Sequence, residues 1–195
     1  MTLWSAAILL FLVLDPLGNI LLFTGALQHV PAARRARVIT RELLIAYAIL
    51  VIFLFVGEPL LRVLGISGPA LTIAGALVLF LIALRMVFPS PETTLTESVR
   101  GEPFIVPLAI PYTAGPSALA TVLLLMNREP SRWPVWLGAL TLAWLASTLI
   151  LVMGSRIGAF LGQKGLIALE RLMGLLLVAL SVQMFLQGLR GALAA

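Results

Sequence analysis

Two interrupted stretches decide the fold: Asp15-Pro16-Leu17-Gly18-Asn19 and Ile110-Pro111-Tyr112-Thr113-Ala114-Gly115-Pro116-Ser117. Each lies near the middle of an apolar segment that is long enough to cross a lipid bilayer. A proline there removes a backbone donor and kinks the helix, and in hydrocarbon the freed carbonyls must find partners within the protein. Such breaks are costly unless they line a cavity. Two of them, at matching places in the two halves of one chain, are typical of a transporter's substrate site.

The composition places the chain in a membrane. Hydrophobic residues make up 61% of the sequence, and only 21 of the 195 residues are acidic or basic (13 plus 8). The mean hydropathy is +1.12. So few charges cannot cover a soluble surface. There is no cysteine, which excludes disulfides, thiolate nucleophiles and cysteine metal sites. The net charge of +5 does not indicate nucleic acid, because the basic residues fall at the ends of apolar segments without interleaved aromatics.

Six apolar segments are long enough to be membrane-spanning helices, since a hydrocarbon core of ~30 Å needs ~20 residues. They are Leu3 to Leu27, Ile39 to Leu64, Ala70 to Phe88, Phe104 to Met126, Val135 to Leu161 and Leu166 to Leu189. The first segment lacks a basic start and a small-residue cleavage site, so we expect a retained helix rather than a signal peptide. The sequence therefore predicts an all-α polytopic membrane protein with broken first and fourth helices.

The sequence contains an internal repeat, in which one unit occurs twice. Residues 41–68 align without a gap to residues 138–165, at an offset of 97 residues. This offset pairs Tyr47 with Trp144, and it also pairs the glycines Gly57 with Gly154, Gly65 with Gly162 and Gly68 with Gly165. Glycines at one spacing are more informative than shared leucines. The predicted domains are a first three-helix repeat (1–88), a cytoplasmic linker (89–103) and a second repeat (104–190). Because three crossings are an odd number, the second repeat should be inverted.

The basic residues predict the orientation of the chain in the membrane. Nine of the 13 lie in or beside the odd-numbered loops and four lie on the other side. Cytoplasmic loops carry an excess of arginine and lysine, so the odd loops should be cytoplasmic and both termini external.

The breaks carry the candidate site residues. Asp15 lies about twelve residues into its helix, or ~18 Å, close to the midplane of the bilayer. A lone carboxylate at that depth is by default a functional group, here a proton-coupling or cation-binding candidate. The alternative is that Asp15 only caps the half-helix that follows; both can hold at once. The other substrate-binding candidates are Pro16, Gly18, Asn19, Tyr112, Thr113, Ala114, Gly115, Pro116 and Ser117. For Thr113 and Ser117, hydrogen bonding to their own backbone is an open alternative.

Several of these motifs resemble the MarC family of bacterial inner-membrane proteins. They are Asp15-Pro16-Leu17-Gly18-Asn19, Arg41-Glu42-Leu43-Leu44, Pro107-Leu108-Ala109-Ile110-Pro111 with Ala114-Gly115-Pro116, Glu170-Arg171-Leu172-Met173-Gly174 and Gln183-Met184-Phe185. The resemblance covers residues 1 to 190. It implies six transmembrane helices and carriage of small neutral amino acids, such as alanine and glycine, driven by the proton gradient.

We therefore expect an inner-membrane secondary transporter of small neutral amino acids or similar zwitterions. No cofactor and no metal site are expected, and the sequence leaves the oligomeric state open. The alternatives are an uncoupled channel or ion pore, a structural membrane partner subunit and an intramembrane enzyme. An enzyme is disfavoured because paired histidines and a buried Ser-His or double-Asp arrangement are absent from the sequence.

Overall fold

The computed structural model describes residues 1–88 and 102–193, and all of its regular structure within these ranges is helical. The helices are α1 (Leu3–Leu14), α2 (Asn19–Ala26), α3 (Ala32–Val63), α4 (Gly68–Val87), a π-helix (Leu108–Thr113), α5 (Pro116–Arg128), a 3-10 turn (Pro130–Arg132), α6 (Trp133–Val152) and α7 (Gly154–Leu193). The predicted linker 89–103 lies outside the described residues except at its last two positions.

Local sequence explains where several helices begin. The Thr2 hydroxyl accepts a hydrogen bond from the backbone N–H of Ser5 at 3.2 Å, and the Ser5 hydroxyl accepts one from the backbone N–H of Thr2 at 3.0 Å. This reciprocal pair is a capping box. Ser67 caps α4 in the same way through the N–H of Ala70, and Pro69 occupies the first turn of that helix.

The prediction of several apolar spans is confirmed, although the six-span layout is not. Within residues 1–88 and 102–193, four helices are long and apolar enough to cross a membrane: α3, α4, α6 with its preceding turn, and α7. The bent pair α1 and α2, at 46° to each other, makes a fifth span if it is counted as one. The predicted fourth span is a π-helix followed by the 13-residue α5. The predicted fifth span stops at Val152, and residues 154–161 instead join α7 across a kink at Gly162.

The outer surface of the bundle is apolar. Ile8, Ile52 and Leu81 are each about 60% exposed. A soluble protein does not present apolar side chains over so much of its surface, whereas lipid tails accept them. The core lies around α5, whose neighbours are α1, α3, α4 and α6. The orientation with both termini outside the cytoplasm stays a prediction.

Small residues set the closest helix crossings. A Cβ on Gly174 of α7 would lie 3.1 Å from the carbonyl oxygen of Ala83 in α4. A Cβ on Gly75 would lie 2.8 Å from the Cβ of Ala120 in α5. Helix backbones in membranes approach this closely only through small residues. These two glycines therefore serve packing.

Candidate functional site

The first break is closed by Asp15. This residue ends α1 in the left-handed conformation, with φ of 42°, which aspartate and asparagine adopt more readily than most other residues. Its Oδ1 accepts a hydrogen bond from the backbone N–H of Gly18 at 3.1 Å, and its carbonyl accepts from the N–H of Asn19 at 3.0 Å. The carboxylate thus has the geometry of a cap. It is also 6% exposed and lies within the interrupted span, as the sequence predicts.

The second break is built from the π-helix and an extended residue. Ile110 interrupts the helical backbone with φ of −129° and ψ of 128°. The Thr113 hydroxyl donates to the Leu108 carbonyl at 3.0 Å, and the Ala114 N–H donates to the Ala109 carbonyl at 2.8 Å. Thr113 therefore bonds to its own backbone, which was the alternative to a substrate contact.

One side chain joins the two breaks. The Asn19 Nδ2 group donates to the Leu14 carbonyl at 3.0 Å and to the Tyr112 carbonyl at 3.2 Å. The first carbonyl belongs to the first break and the second carbonyl to the second. Because an amide has two N–H donors, Asn19 can satisfy both acceptors at once. Two stretches that lie 93 residues apart in sequence thus meet in the interior.

Glycines allow the tight backbone at both breaks. A Cβ on Gly18 would lie 2.2 Å from Asp15 Oδ2 and 2.3 Å from Met86 Cε. A Cβ on Gly115 would lie 2.6 Å from the Pro111 carbonyl oxygen, a backbone atom with little freedom to move. A larger residue at Gly115 therefore forces the second break apart, whereas one at Gly18 requires the Asp15 and Met86 side chains to move.

The predicted site residues are gathered at these two breaks, and most are buried. The buried members are Asp15, Pro16, Gly18, Asn19, Thr113, Ala114, Gly115 and Ser117, while Tyr112 and Pro116 are half-buried. The structure therefore has the breaks packed against the protein rather than open to either side.

The two breaks present groups of opposite electrostatic preference. The Asp15 carboxylate caps the start of α2 through the Gly18 N–H, whereas α5, with Gly115 at its N-cap, has no side-chain hydrogen bond there. Uncapped helix N-termini attract anions through their N–H groups and dipole. The Asp15 carboxylate is the complementary group for an ammonium. Within the described residues, no group of three or more His, Asp or Glu side chains could hold a metal ion.

Sequence reasoning missed the role of Glu42. The pattern Arg41-Glu42 indicates interfacial charges, yet Glu42 is 0% exposed. Its Oε2 accepts from the backbone N–H of Ile105 at 2.7 Å, and its Oε1 accepts from Arg41 Nε at 2.9 Å. Arg41 also donates to Glu102 Oε1 at 2.9 Å and to the Pro103 carbonyl. This network fastens the segment before the π-helix to α3, and so positions the second break.

A cavity of about 150 Å³ lies elsewhere, between the N-terminal end of α4 and the C-terminal ends of α5 and α7. Its lining includes Thr72, Leu123, Asn127 and Gln187. None of the residues that line it belongs to either break.

Comparison with known proteins places the chain in a family. Residues 1–193 match the MarC family integral membrane protein model. The chain is 47% identical over 187 residues to the UPF0056 inner membrane protein YhgN of Escherichia coli (strain K12), covering 95% of each protein. It is 46% identical over 186 residues to a UPF0056 membrane protein of Buchnera aphidicola from Schizaphis graminum, again over 95% of each. A UPF0056 membrane protein of Chlamydia trachomatis is 33% identical over 192 residues, which is 98% of this chain and 94% of the relative.

No solved structure matches the chain. The match to the family model spans nearly the whole sequence, and the relatives are aligned over nearly their whole length, so the resemblance seen in the break motifs is confirmed. The chain belongs to the MarC family of integral membrane proteins.

Proposed function

We propose that the chain is a secondary transporter of the bacterial inner membrane that carries small neutral amino acids or similar zwitterions, coupled to protons. The observation that carries this proposal is the Asn19 side chain, which hydrogen-bonds to carbonyls of both breaks. Two interrupted helices that meet in the interior of a membrane protein are the arrangement from which many carriers build their substrate site. A purely structural subunit has no need of paired breaks.

Matched residues support an inverted repeat. Gly65 and Gly162, which are 97 residues apart, both have φ of +67°. Tyr47 and Trp144, at the same offset, contact each other with ring centroids 5.0 Å apart. In a twofold arrangement, a residue touches its own counterpart only close to the axis. The proposed axis therefore passes between α3 and α6 at this aromatic pair.

The packing of the helices supports the same repeat. Exchanging the two halves converts the contact of α1 with α6 into that of the π-helix with α3, and both contacts exist. It also converts the contact of α2 with α7 into that of α5 with α4, and again both exist. The contacts of α4 with α7 and of α3 with α6 convert into themselves. We infer two inverted units, 1–88 and 104–190, joined by a cytoplasmic linker.

The substrate class rests on the chemistry of the breaks and on the family resemblance. The N-terminal amides of α5 suit a carboxylate. Asp15 or the backbone carbonyls suit an ammonium group. Rocking of one unit against the other would open the buried site to each side in turn. In this scheme Asp15 is the candidate carrier of the coupling proton.

The test is uptake by purified protein in proteoliposomes. Radiolabelled glycine and L-alanine are offered with an imposed proton gradient, an imposed sodium gradient or neither. Saturable uptake that follows the proton gradient supports the proposal, whereas non-saturating flux without a gradient indicates a channel. Absence of uptake for all common amino acids overturns it. Glycinamide should compete at least ~10-fold more weakly than glycine, the ratio that 1.4 kcal/mol supplies.

A further inference from the structure

The buried face of α6 contains one polar residue with a hydroxyl, Ser147. The face is an apolar stripe at helical spacing made of Trp136, Ala139, Leu140, Ala143, Ser147 and Leu151. Ser147 is 1% exposed, as buried as the leucines around it. A hydroxyl in such a stripe has no packing advantage over a methyl group, so its presence needs another reason.

The neighbours of α6 place Ser147 beside the first break. A Cβ on Gly138, near the start of α6, would lie 3.4 Å from the Leu3 side chain at the start of α1. A Cβ on Gly154, just after α6, would lie 3.6 Å from the Ile20 side chain, just after the first break. Ser147 lies between these two positions, on the part of α6 that runs beside the end of α1.

The Ser147 hydroxyl has no hydrogen-bond partner among the described residues. Other buried helix hydroxyls do have one: Thr121 donates to the Ser117 carbonyl at 2.7 Å, and Ser181 donates to the Val178 carbonyl at 2.7 Å. Thr148, the next residue, also has a buried hydroxyl oxygen without a partner in the same ranges. Buried polar groups are nearly always paired, and an unpaired one is costly. Such a group indicates a partner that is bound only part of the time.

The proposed repeat indicates that packing at this position does not require a hydroxyl group. At the offset of 97 residues, Leu50 of α3 is the counterpart of Ser147, and Leu50 is also 1% exposed. A leucine satisfies the packing at this position in the first half. The hydroxyl is therefore confined to one half, as expected for a group that contacts an asymmetric ligand.

We propose that Ser147 is a ligand-binding residue of the substrate site, whose hydroxyl hydrogen-bonds to a small zwitterion held between the two breaks. This inference rests on the proposed transport function and adds α6 as a third wall of the site. It also explains why a buried hydroxyl is kept without a partner in the closed, unliganded arrangement.

The first test compares Ser147→Ala with Ser181→Ala. The two serines have the same exposure, 1%, and differ in that only the second is bonded to a backbone carbonyl. In proteoliposomes, Ser147→Ala should raise the KM for glycine by about 10-fold, which corresponds to 1.4 kcal/mol. Ser147→Thr, which keeps a hydroxyl, should restore most of the affinity, while Ser181→Ala should leave the KM within about twofold of the original value. An unchanged KM in Ser147→Ala overturns the inference.

The second test needs no transport. The chain contains no cysteine, so Ser147→Cys and Ser181→Cys each introduce a single thiol. In proteoliposomes, 2-aminoethyl methanethiosulfonate should modify the Ser147→Cys protein and spare the Ser181→Cys protein, and a large molar excess of glycine over protein should slow the reaction. If no amino acid is taken up but the thiol at position 147 reacts, the transport proposal fails and the accessible polar site stands. If uptake is normal and both thiols are equally inert, transport stands and the role of Ser147 is refuted.

Discussion

Replacing Asn19 with leucine tests whether one side chain holds the two breaks together. Leucine has a similar volume, so the substitution removes the amide while leaving only a small change in packing. The Nδ2 group of Asn19 donates at 3.0 Å to the Leu14 carbonyl and at 3.2 Å to the Tyr112 carbonyl. Asn19 is 7% exposed, so solvent cannot take over these bonds.

The expected loss follows from leaving two buried carbonyls without their donor. An unsatisfied buried group costs about 1–3 kcal/mol. Hydrogen bonds between helices in membranes are measured at about 0.6 kcal/mol on average, with a maximum of about 1.7. The two ranges overlap at about 1–1.7 kcal/mol for each bond, so the loss of two bonds gives about 2–3 kcal/mol. We expect Asn19→Leu to lower the free energy of unfolding by that amount.

The assay is unfolding in mixed micelles of a mild detergent and sodium dodecyl sulfate, followed by the fluorescence of the four tryptophans. The matched control is Asn127→Leu, because Asn127 is exposed at the end of α5. Surface substitutions usually change stability by less than about 0.5 kcal/mol. If Asn19→Leu falls within the same margin as this control, the bridge between the breaks is not a stabilising contact and the reasoning is refuted.

Three further outcomes are expected. Gly115→Ala puts a Cβ 2.6 Å from a backbone carbonyl oxygen, so it should destabilise the protein by roughly 1–3 kcal/mol in the same assay. The control is Gly138→Ala, whose Cβ would meet only a leucine methyl at 3.4 Å and which should be close to neutral. Asp15→Asn keeps a capping oxygen, so it should fold and exchange glycine across proteoliposomes while losing proton-driven accumulation; normal accumulation would leave Asp15 as a cap alone. A phosphatase reporter that is active only outside the cytoplasm should work when inserted in 127–134 and fail in 89–103, and the reverse pattern would overturn the proposed orientation.

The breaks could be predicted from sequence because proline acts locally. Pro16 and Pro116 remove backbone donors wherever the rest of the chain lies, and the neighbouring glycines indicate a tight backbone. The meeting of the breaks could not be predicted in detail. It depends on Asn19 reaching the carbonyl of Tyr112, a contact between residues 93 positions apart.

The burial of Glu42 was beyond the sequence for a similar reason. A glutamate next to an arginine near a helix end is usually solvated, and nothing local indicates that Ile105 will donate its N–H to it. The division of the predicted fifth span at Met153 was missed because apolar composition continues across the boundary. Hydropathy predicts how long an apolar segment is. It does not predict the change in helix direction at Gly162, which depends on a backbone φ of +67°.

The Glu42 network can be completed only after the second half of the chain has begun to be synthesised. The carboxylate and the Ile105 N–H that completes its pairing are 63 residues apart. At about 5–20 residues per second, the ribosome needs roughly 3–13 s to make that distance of chain. During this interval Arg41, the adjacent residue, is the available counter-charge. Helices α1 to α4 are therefore synthesised before the Glu42 pocket is complete, and Ile105 completes it only when the second half of the chain follows.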